Sequence, residues 1–241
     1  MGRFYRFARV LVWLALTGAA ALSLYAFSRA RPQDMPWTTL DLAQPVGLFT
    51  GRKLAALTQD YAGCRAALDK AGIGYAAVGP RGEGQCAHSD SMRLRQTPGA
   101  IRLSPGDVAP SCPVVAALKL WEWHVVQPAA ERIYGQGVRQ IDTLGSFNCR
   151  RMYGRSEGRY SEHATADAID ISAFVLEDGR RVRVLRDWTG EERDAEFLRS
   201  VRDGACNLYA TVLSPDYNAA HADHFHLDQA ERGAMGGRVC R

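Results

Sequence analysis

Two short segments rich in histidines and carboxylates, far apart in the chain, constrain the fold most. Residues 161–170 read SEHATADAID and residues 221–228 read HADHFHLD, and together they hold four of the six histidines. A catalytic Zn²⁺ site takes three nitrogen or oxygen ligands from the protein and leaves the fourth position to water. We therefore expect a fold that holds these two segments face to face.

Strand periodicity indicates which side chains of these segments can share a metal ion. Residues two apart on a strand share a face, so His224 and His226 are predicted to point the same way. His163 precedes a predicted strand that contains Asp170, and a loop ligand and a strand ligand can converge on one ion. Asp167 competes with Asp170, but residues three apart face opposite sides, so only one of them can bind. A single histidine is by default a polar surface residue, whereas two tight clusters favour a metal site.

The N-terminus has the features of a membrane helix. Arginines at positions 3, 6 and 9 precede an uncharged run over residues 10–28, and about 20 apolar residues span a bilayer. Positive charge before the run predicts a cytoplasmic N-terminus. A cleaved signal peptide is the alternative, with small residues at 17–21. Apolar residues continue through Phe27 and favour an uncleaved anchor, and either interpretation exports the rest of the chain.

Composition and the positions of the prolines divide the chain into three parts. Residues 1–28 are the predicted anchor or signal segment, residues 29–50 a linker interrupted by prolines, and residues 51–241 one domain. The composition, 46% hydrophobic and 23% charged, suffices for a sizeable core. The net charge is only +4, and much of it lies in the N-terminal arginines, so we expect no nucleic-acid binding. The oligomeric state is left open.

The cysteine count agrees with export. The chain has six cysteines and no C-x-x-C motif, and exported domains with an even number usually form disulfides. Six cysteines allow 15 pairings. We expect Cys206 to pair with Cys240, because these two bracket the histidine segment. For the others we expect Cys64 to pair with Cys86, and Cys112 with Cys149.

Periodicity predicts helices first and strands later, which is typical of an α+β domain. Apolar residues at helical spacing predict one helix from Leu54 to about Gly72 and a second over 113–134 that Pro128 should kink or divide. Alternating or apolar runs predict the strands, and Asp178-Gly179 marks a hairpin turn. The remaining predicted elements are a helix at 191–202 and strands at 138–144, 168–176, 181–185, 206–213 and 224–228. The strand at 224–228 is predicted to be the final strand of the chain.

The spacing S-x-H-x-x-A-x-A-x-D over residues 161–170, followed by H-x-H at 224–226, resembles the zinc peptidases that include D-alanyl-D-alanine dipeptidases and carboxypeptidases, the penicillin-insensitive murein endopeptidase and the Hedgehog signalling domain. Residues 126–130, 145–150 and 221–228 resemble more closely the bacterial extensin-like C-terminal domain family, over roughly residues 60–241. Ala166 stands where the wider peptidase group often has glycine. The resemblance implies a Hedgehog/DD-peptidase-like antiparallel sheet flanked by helices.

The resemblance also implies roles for individual residues. An Arg150 guanidinium could hold a substrate carboxylate bidentately, or could instead pair with a structural acid. Ser161 could support the first ligand or touch substrate, and His221 could be either a loop residue or a substrate contact. The implied set is zinc ligands His163, Asp170 and His226, catalytic base His224, and substrate-binding residues Arg150, Ser161 and His221.

These features together predict a single-pass protein of the cell inner membrane, with a periplasmic Zn²⁺-dependent peptidase domain acting on peptidoglycan peptides. Both stem peptides and cross-links are possible targets. The alternative is a zinc-containing cell-wall binding module without catalytic activity, as in Hedgehog-type domains. An intact His224 favours the enzyme, because a purely structural site needs no base.

Overall fold

A computed structural model describes residues 2–232 and 237–241. Its first helix, α1 (Gly2–Ala30), has no buried residue and reaches a mean hydropathy of 2.0 over 18 residues. This helix is long and apolar enough to cross a membrane, although a signal sequence has the same properties. An exported domain is therefore consistent with α1, whichever of the two it is.

The rest of the chain is a mixed α+β structure, as predicted. The strands are β1 (Tyr75–Ala77), β2 (Met92–Leu94), β3 (Arg102–Ser104), β4 (Val138–Gly145), β5 (Ala168–Leu176), β6 (Arg181–Arg183), β7 (Thr211–Leu213), β8 (Phe225–Asp228) and β9 (Val239–Cys240). Strands β4 to β8 form the antiparallel centre of a seven-stranded sheet with the path β3-β4-β5-β8-β7-β9, in which β6 also pairs with β5. Strands β3 and β9 run parallel to their neighbours, and β1 and β2 form a separate antiparallel pair.

Helices cover the sheet and close the core. Trp121, Phe174 and Phe197 are fully buried and pack edge-to-face, with ring centroids 5.7 Å apart for the first pair and 5.1 Å for the second. Trp121 also donates its indole N–H to the Val201 carbonyl at 2.8 Å. The helices are α2 (Thr50–Ala56), α3 (Tyr61–Lys70), α4 (Cys112–Trp121), α5 (Gln127–Tyr134), α6 (Val184–Asp187) and α7 (Glu192–Ala205).

Two predicted helices are each divided. The helix expected from Leu54 to Gly72 breaks before Asp60, whose side chain accepts a hydrogen bond from Gly63 N–H and so starts α3. In the second helix, a π-helical turn at Glu122–Val126 separates α4 from α5. Pro128 lacks an N–H and its ring crowds the carbonyl four residues earlier, which a widened turn directly before it relieves.

The strand predicted over residues 206–213 is wrong in its first half. Helix α7 runs on to Ala205, and only Thr211–Leu213 is a strand. Leu208 and Tyr209 lie between them and are fully buried, so their apolar character reflects burial rather than strand periodicity. Residues 224–228 are also not the final strand, because β9 follows and pairs with β7.

Three disulfides are present, and two of the expected pairings are wrong. Cys206 pairs with Cys240 as expected, which fastens β9 beside the end of α7. Cys64 pairs with Cys112 because α3 packs against the start of α4, and Cys86 then pairs with Cys149. The Cα–Cα distances are 6.1 Å and 5.6 Å for these two bridges.

The proline-interrupted segment after α1 packs on the domain. Leu42 is 1% exposed and belongs to the hydrophobic core. The Lys53 ammonium, on α2, donates to Pro32 O at 2.9 Å, to Gln33 Oε1 at 3.2 Å and to Thr38 Oγ1 at 2.7 Å. Residues from 32 onward are therefore held to the domain surface.

Candidate metal centre

The register between β5 and β8 creates the first half of the site. Asp170 on β5 and His226 on β8 are Cα partners in this antiparallel pair. Directly opposite residues present their side chains on the same face of a sheet. The His226 Nδ1 atom consequently lies 3.0 Å from Asp170 Oδ1.

A short turn before β5 supplies the third side chain. His163 lies in a 3₁₀ turn, Glu162–Thr165. Ser161 directly precedes this turn, and its hydroxyl accepts a hydrogen bond from His163 N–H at 3.3 Å. Ala166 ends the turn with φ +61°, a left-handed conformation that favours glycine and explains why glycine suits this position. The turn directs His163 Nε2 to 3.1 Å from Asp170 Oδ1.

The three converging atoms fit a tetrahedral zinc site. His163 Nε2 and His226 Nδ1 are 3.1 Å apart, so all three separations lie between 3.0 and 3.1 Å. Zinc–nitrogen and zinc–oxygen bonds of about 2.0 Å in a tetrahedron set the ligands about 3.3 Å apart. The three atoms thus form one face of a tetrahedron of nearly the right size.

Hydrogen bonds outside the cluster fix which ring nitrogen faces it. His163 Nδ1 lies 3.1 Å from the Ser146 carbonyl, which can only accept, so Nδ1 carries a proton and Nε2 is the nitrogen that faces the cluster. His226 uses its nitrogens in the opposite sense, since Nε2–H donates to Asp228 Oδ2 at 3.0 Å and Nδ1 faces the cluster. Metal-binding histidines are characteristically held in this way by a carbonyl or a carboxylate.

The charges around the cluster favour a cation. Burial alone would raise the pKa of Asp170, but hydrogen bonds from His163 and His226 hold it well below its usual range. Burial alone would lower the pKa of His226, whereas its bonds to Asp170 and Asp228 raise it to about 9. At neutral pH the metal-free site therefore holds a carboxylate and a proton that a metal ion would have to displace.

His224 lies beside the cluster and not in the strand predicted for it, because β8 begins at Phe225. Its Nδ1–H donates to Asp223 Oδ1 at 2.7 Å. Its Nε2 points toward the centre, 3.6 Å from Asp170 Oδ1. The ring is thus oriented by one carboxylate with its second nitrogen directed at the site.

Asp167, the alternative carboxylate, is outside the cluster. Its Oδ2 accepts from the Thr165 hydroxyl at 2.8 Å, and burial raises the pKa of this carboxyl. The group of ligand-type side chains whose atoms approach one another consists of His163, Asp170 and His226. The structure therefore brings Asp170 into the cluster and leaves Asp167 behind it.

A cleft of about 130 Å³ opens onto the cluster. Its walls contain all seven residues singled out in the sequence, together with Met152, Tyr153, Leu213 and Ala220. His221 donates from Nδ1 to Asn218 Oδ1 at 2.7 Å, and burial, followed by the neighbouring His224 and His226, lowers the pKa of His221 to about 4. His221 is thus a neutral polar group of the cleft wall.

Sequence reasoning missed several residues that orient the site. Asp228 carried a usable signal, because it lies two residues after His226 on the same strand face. Asp223 and Asn218 lie in loops, where periodicity gives no orientation. The carbonyl of Ser146 carries no sequence signal, because every residue has one.

Comparison with known proteins places the chain in a family. No curated protein and no solved structure matches it. A family model described as Extensin-like protein C-terminus matches residues 62–241, about three-quarters of the chain, including both histidine segments and all six cysteines. The chain therefore belongs to the family of the extensin-like protein C-terminus.

Proposed function

We propose that this protein is a zinc-dependent peptidase that acts outside the cytoplasmic membrane on peptidoglycan peptides. The observation that carries the proposal is the cluster of His163 Nε2, Asp170 Oδ1 and His226 Nδ1, within 3.1 Å of one another in an open cleft. Two nitrogens and one carboxylate oxygen are a ligand set typical of catalytic zinc. The residues present fit Zn²⁺ both in chemistry and in spacing.

His163, Asp170 and His226 would hold the ion. When bound, zinc would polarise the scissile carbonyl and acidify the attacking water. His224 supplies the proton transfers: Asp223 holds its Nδ1–H, which leaves Nε2 free to accept a proton from water. The same nitrogen can then donate that proton to the leaving amine.

The fold and the compartment support the substrate class. We propose that the domain is related to the Hedgehog/DD-peptidase group, because its aspartate and final histidine lie opposite each other on antiparallel strands, with the first histidine in the turn before them. The membrane-length helix and three disulfides fit an exported domain, which we place in the periplasm on the inner membrane. A hydrolase held there meets peptidoglycan first, and the proposal covers both stem-peptide trimming and cross-link cleavage.

The test compares metal content and turnover in one preparation. The full chain in detergent, loaded with zinc, is incubated with purified murein sacculi, and released muropeptides are separated. His224→Ala should keep its zinc and lose about 10²–10⁴-fold in rate, the usual effect of removing a general base. His124→Ala removes an exposed histidine outside the cleft and should change neither the zinc content nor the rate.

Each other result changes the assignment. Full zinc and full activity in His224→Ala would exclude His224 as the base, and lost zinc would make it a ligand. A wild-type chain that holds one zinc but releases nothing from sacculi would favour the non-catalytic binding module. A chain that binds no zinc at all would contradict both.

A further inference from the structure

One edge of the cleft is a compact loop that the proposed chemistry does not use. We call residues 150–160 the arginine flap. The two ends of this loop are joined by backbone hydrogen bonds: Met152 N–H donates to Arg159 O at 3.0 Å, and Ser161 N–H donates to Arg150 O at 3.1 Å. Arg150, Met152 and Tyr153 line the cleft. A ligand bound in the cleft therefore lies beside the flap.

The flap concentrates positive charge on an otherwise acidic domain. From residue 32 onward the chain has 25 basic and 26 acidic side chains. The flap contains four of the basic side chains and one of the acidic ones. The flap thus has a formal charge of +3, and the rest of the domain −4. This segregation attracts anions to the mouth of the cleft specifically.

None of the four flap arginines forms a salt bridge with a carboxylate within the part of the chain that the structure describes. Arg151 is used internally, because its guanidinium donates to Gly158 O and stacks on the Tyr160 ring at 4.5 Å. Arg150, Arg155 and Arg159 are exposed, and the only aromatic contact among the three is that of Arg155, 5.9 Å from the centroid of the Tyr153 ring in the described structure.

The flap is held in place across the cleft. Tyr153 has φ +57°, a left-handed conformation that costs a residue with a Cβ about 1–2 kcal/mol and persists only where its surroundings enforce it. Its hydroxyl accepts from Asn218 Nδ2 at 3.3 Å, and Asn218 also holds His221. The arginines are therefore presented by a loop anchored to the opposite wall.

We propose that the arginine flap binds the free carboxylates of an anionic peptide whose reacting bond lies at the metal cluster. Guanidinium groups bind carboxylates bidentately, and three available groups suit a ligand with at least two carboxylates. The statement that a bond of the peptide reacts at the metal cluster rests on the proposed function. The statement that the flap recognises carboxylates follows from the charge and geometry of the flap alone. A nucleic acid is the less suitable ligand, because its long, dense charge would also run over the acidic remainder of the domain.

Binding is measured apart from turnover. The probes are the fluorescein-labelled, C-terminally amidated peptides Ala-Glu-Glu-Ala and Ala-Gln-Gln-Ala, titrated by anisotropy with the zinc-loaded full chain carrying His224→Ala. In that background Arg155→Gln with Arg159→Gln is compared with Arg52→Gln plus Arg102→Gln. The control pair also removes two exposed arginines without salt bridges, but outside the flap.

We expect the flap variant to bind the acidic peptide about 3- to 10-fold more weakly at low salt, the range for two exposed charge pairs. The control pair should stay within about 2-fold of its parent. High salt should abolish the difference, because the screening length falls to a few ångströms. Equal losses in both variants, or equal binding of the two peptides, would overturn the proposal, as would flap-dependent binding of a single-stranded oligonucleotide tighter than that of the acidic peptide.

Sacculus digestion separates this proposal from the proposed function. With His224 intact, the flap variant should raise KM and keep kcat, because the flap contacts ground state and transition state alike. Flap-dependent peptide binding without sacculus cleavage would leave the binding surface standing and refute the peptidase. Cleavage with an unchanged KM in the flap variant would refute the binding surface and leave the peptidase.

Discussion

Replacing Asp228 by asparagine should weaken zinc binding without touching a zinc ligand. Asp228 is 3% exposed, and both of its oxygens accept hydrogen bonds. Oδ2 accepts from His226 Nε2–H at 3.0 Å, and Oδ1 accepts from Ala230 N–H at 3.0 Å. An amide has one oxygen and one NH₂ group, so in Asp228→Asn one of these two buried donors must face another donor.

Two independent estimates give the size of the effect. A buried donor left without its acceptor costs about 1–3 kcal/mol. Loss of the group that orients a metal-binding histidine lowers metal affinity about 10–100-fold, which corresponds to about 1.4–2.7 kcal/mol. The substitution also removes the negative charge beside His226. We therefore expect zinc affinity to fall 10–100-fold.

Competition with a chromophoric chelator measures the zinc affinity, and urea unfolding of the metal-free chain measures the stability of the fold. Asp167→Asn is the matched control, since Asp167 is a partly buried carboxyl in the other histidine segment but lies outside the cluster, and its Oδ1 has no hydrogen-bond partner in the described structure. Its zinc affinity should stay within about 2-fold of wild type. Wild-type affinity in Asp228→Asn, or an equal loss in Asp167→Asn, would refute the reasoning.

Three other experiments test the site and the fold. Asp170→Ala should strip zinc and Asp167→Ala should retain it by elemental analysis; the reverse would mean that the wrong carboxylate has been assigned. The metal-free chain should lose stability as pH rises from about 6.5 to 9, because the folded-state pKa of His226 is raised to about 9 and its proton stabilises the fold fully only below 6.5. Urea unfolding across that range checks the sign, which a rising stability would contradict. Mass mapping of unreduced peptides should find the three bridges described above, not the sequential pairs.

Strand alternation predicted that only one of the two candidate carboxylates could bind, and the family resemblance chose Asp170. Asp167 and Asp170 are three residues apart, and the structure has only Asp170 beside His226. What alternation could not supply is the choice of ring nitrogen in each histidine. That choice depends on the Ser146 carbonyl for His163 and on Asp228 for His226, and both contacts follow from the register of strands distant in sequence.

Tertiary packing explains the errors in the fold. The first half of the run at residues 206–213 is the turn that follows α7, and a short apolar run cannot distinguish such a turn from a strand. Cys64 was expected to pair with Cys86, whereas packing of α3 on α4 brings Cys64 to Cys112. Both errors arise where contacts between distant segments override local pattern.

The position of His224 shows a prediction that holds for a different physical reason. Alternation on a strand was expected to align His224 with His226, yet the strand begins after His224. The ring still faces the cluster because Asp223 fixes its Nδ1. Asp223 is exposed, with 55% of its side chain accessible, whereas Asp228 is buried behind His226. A contact with an exposed carboxylate contributes little and is screened by salt, so the proposed base is held more loosely than the proposed ligands, which suits a group that must move a proton rather than hold a metal.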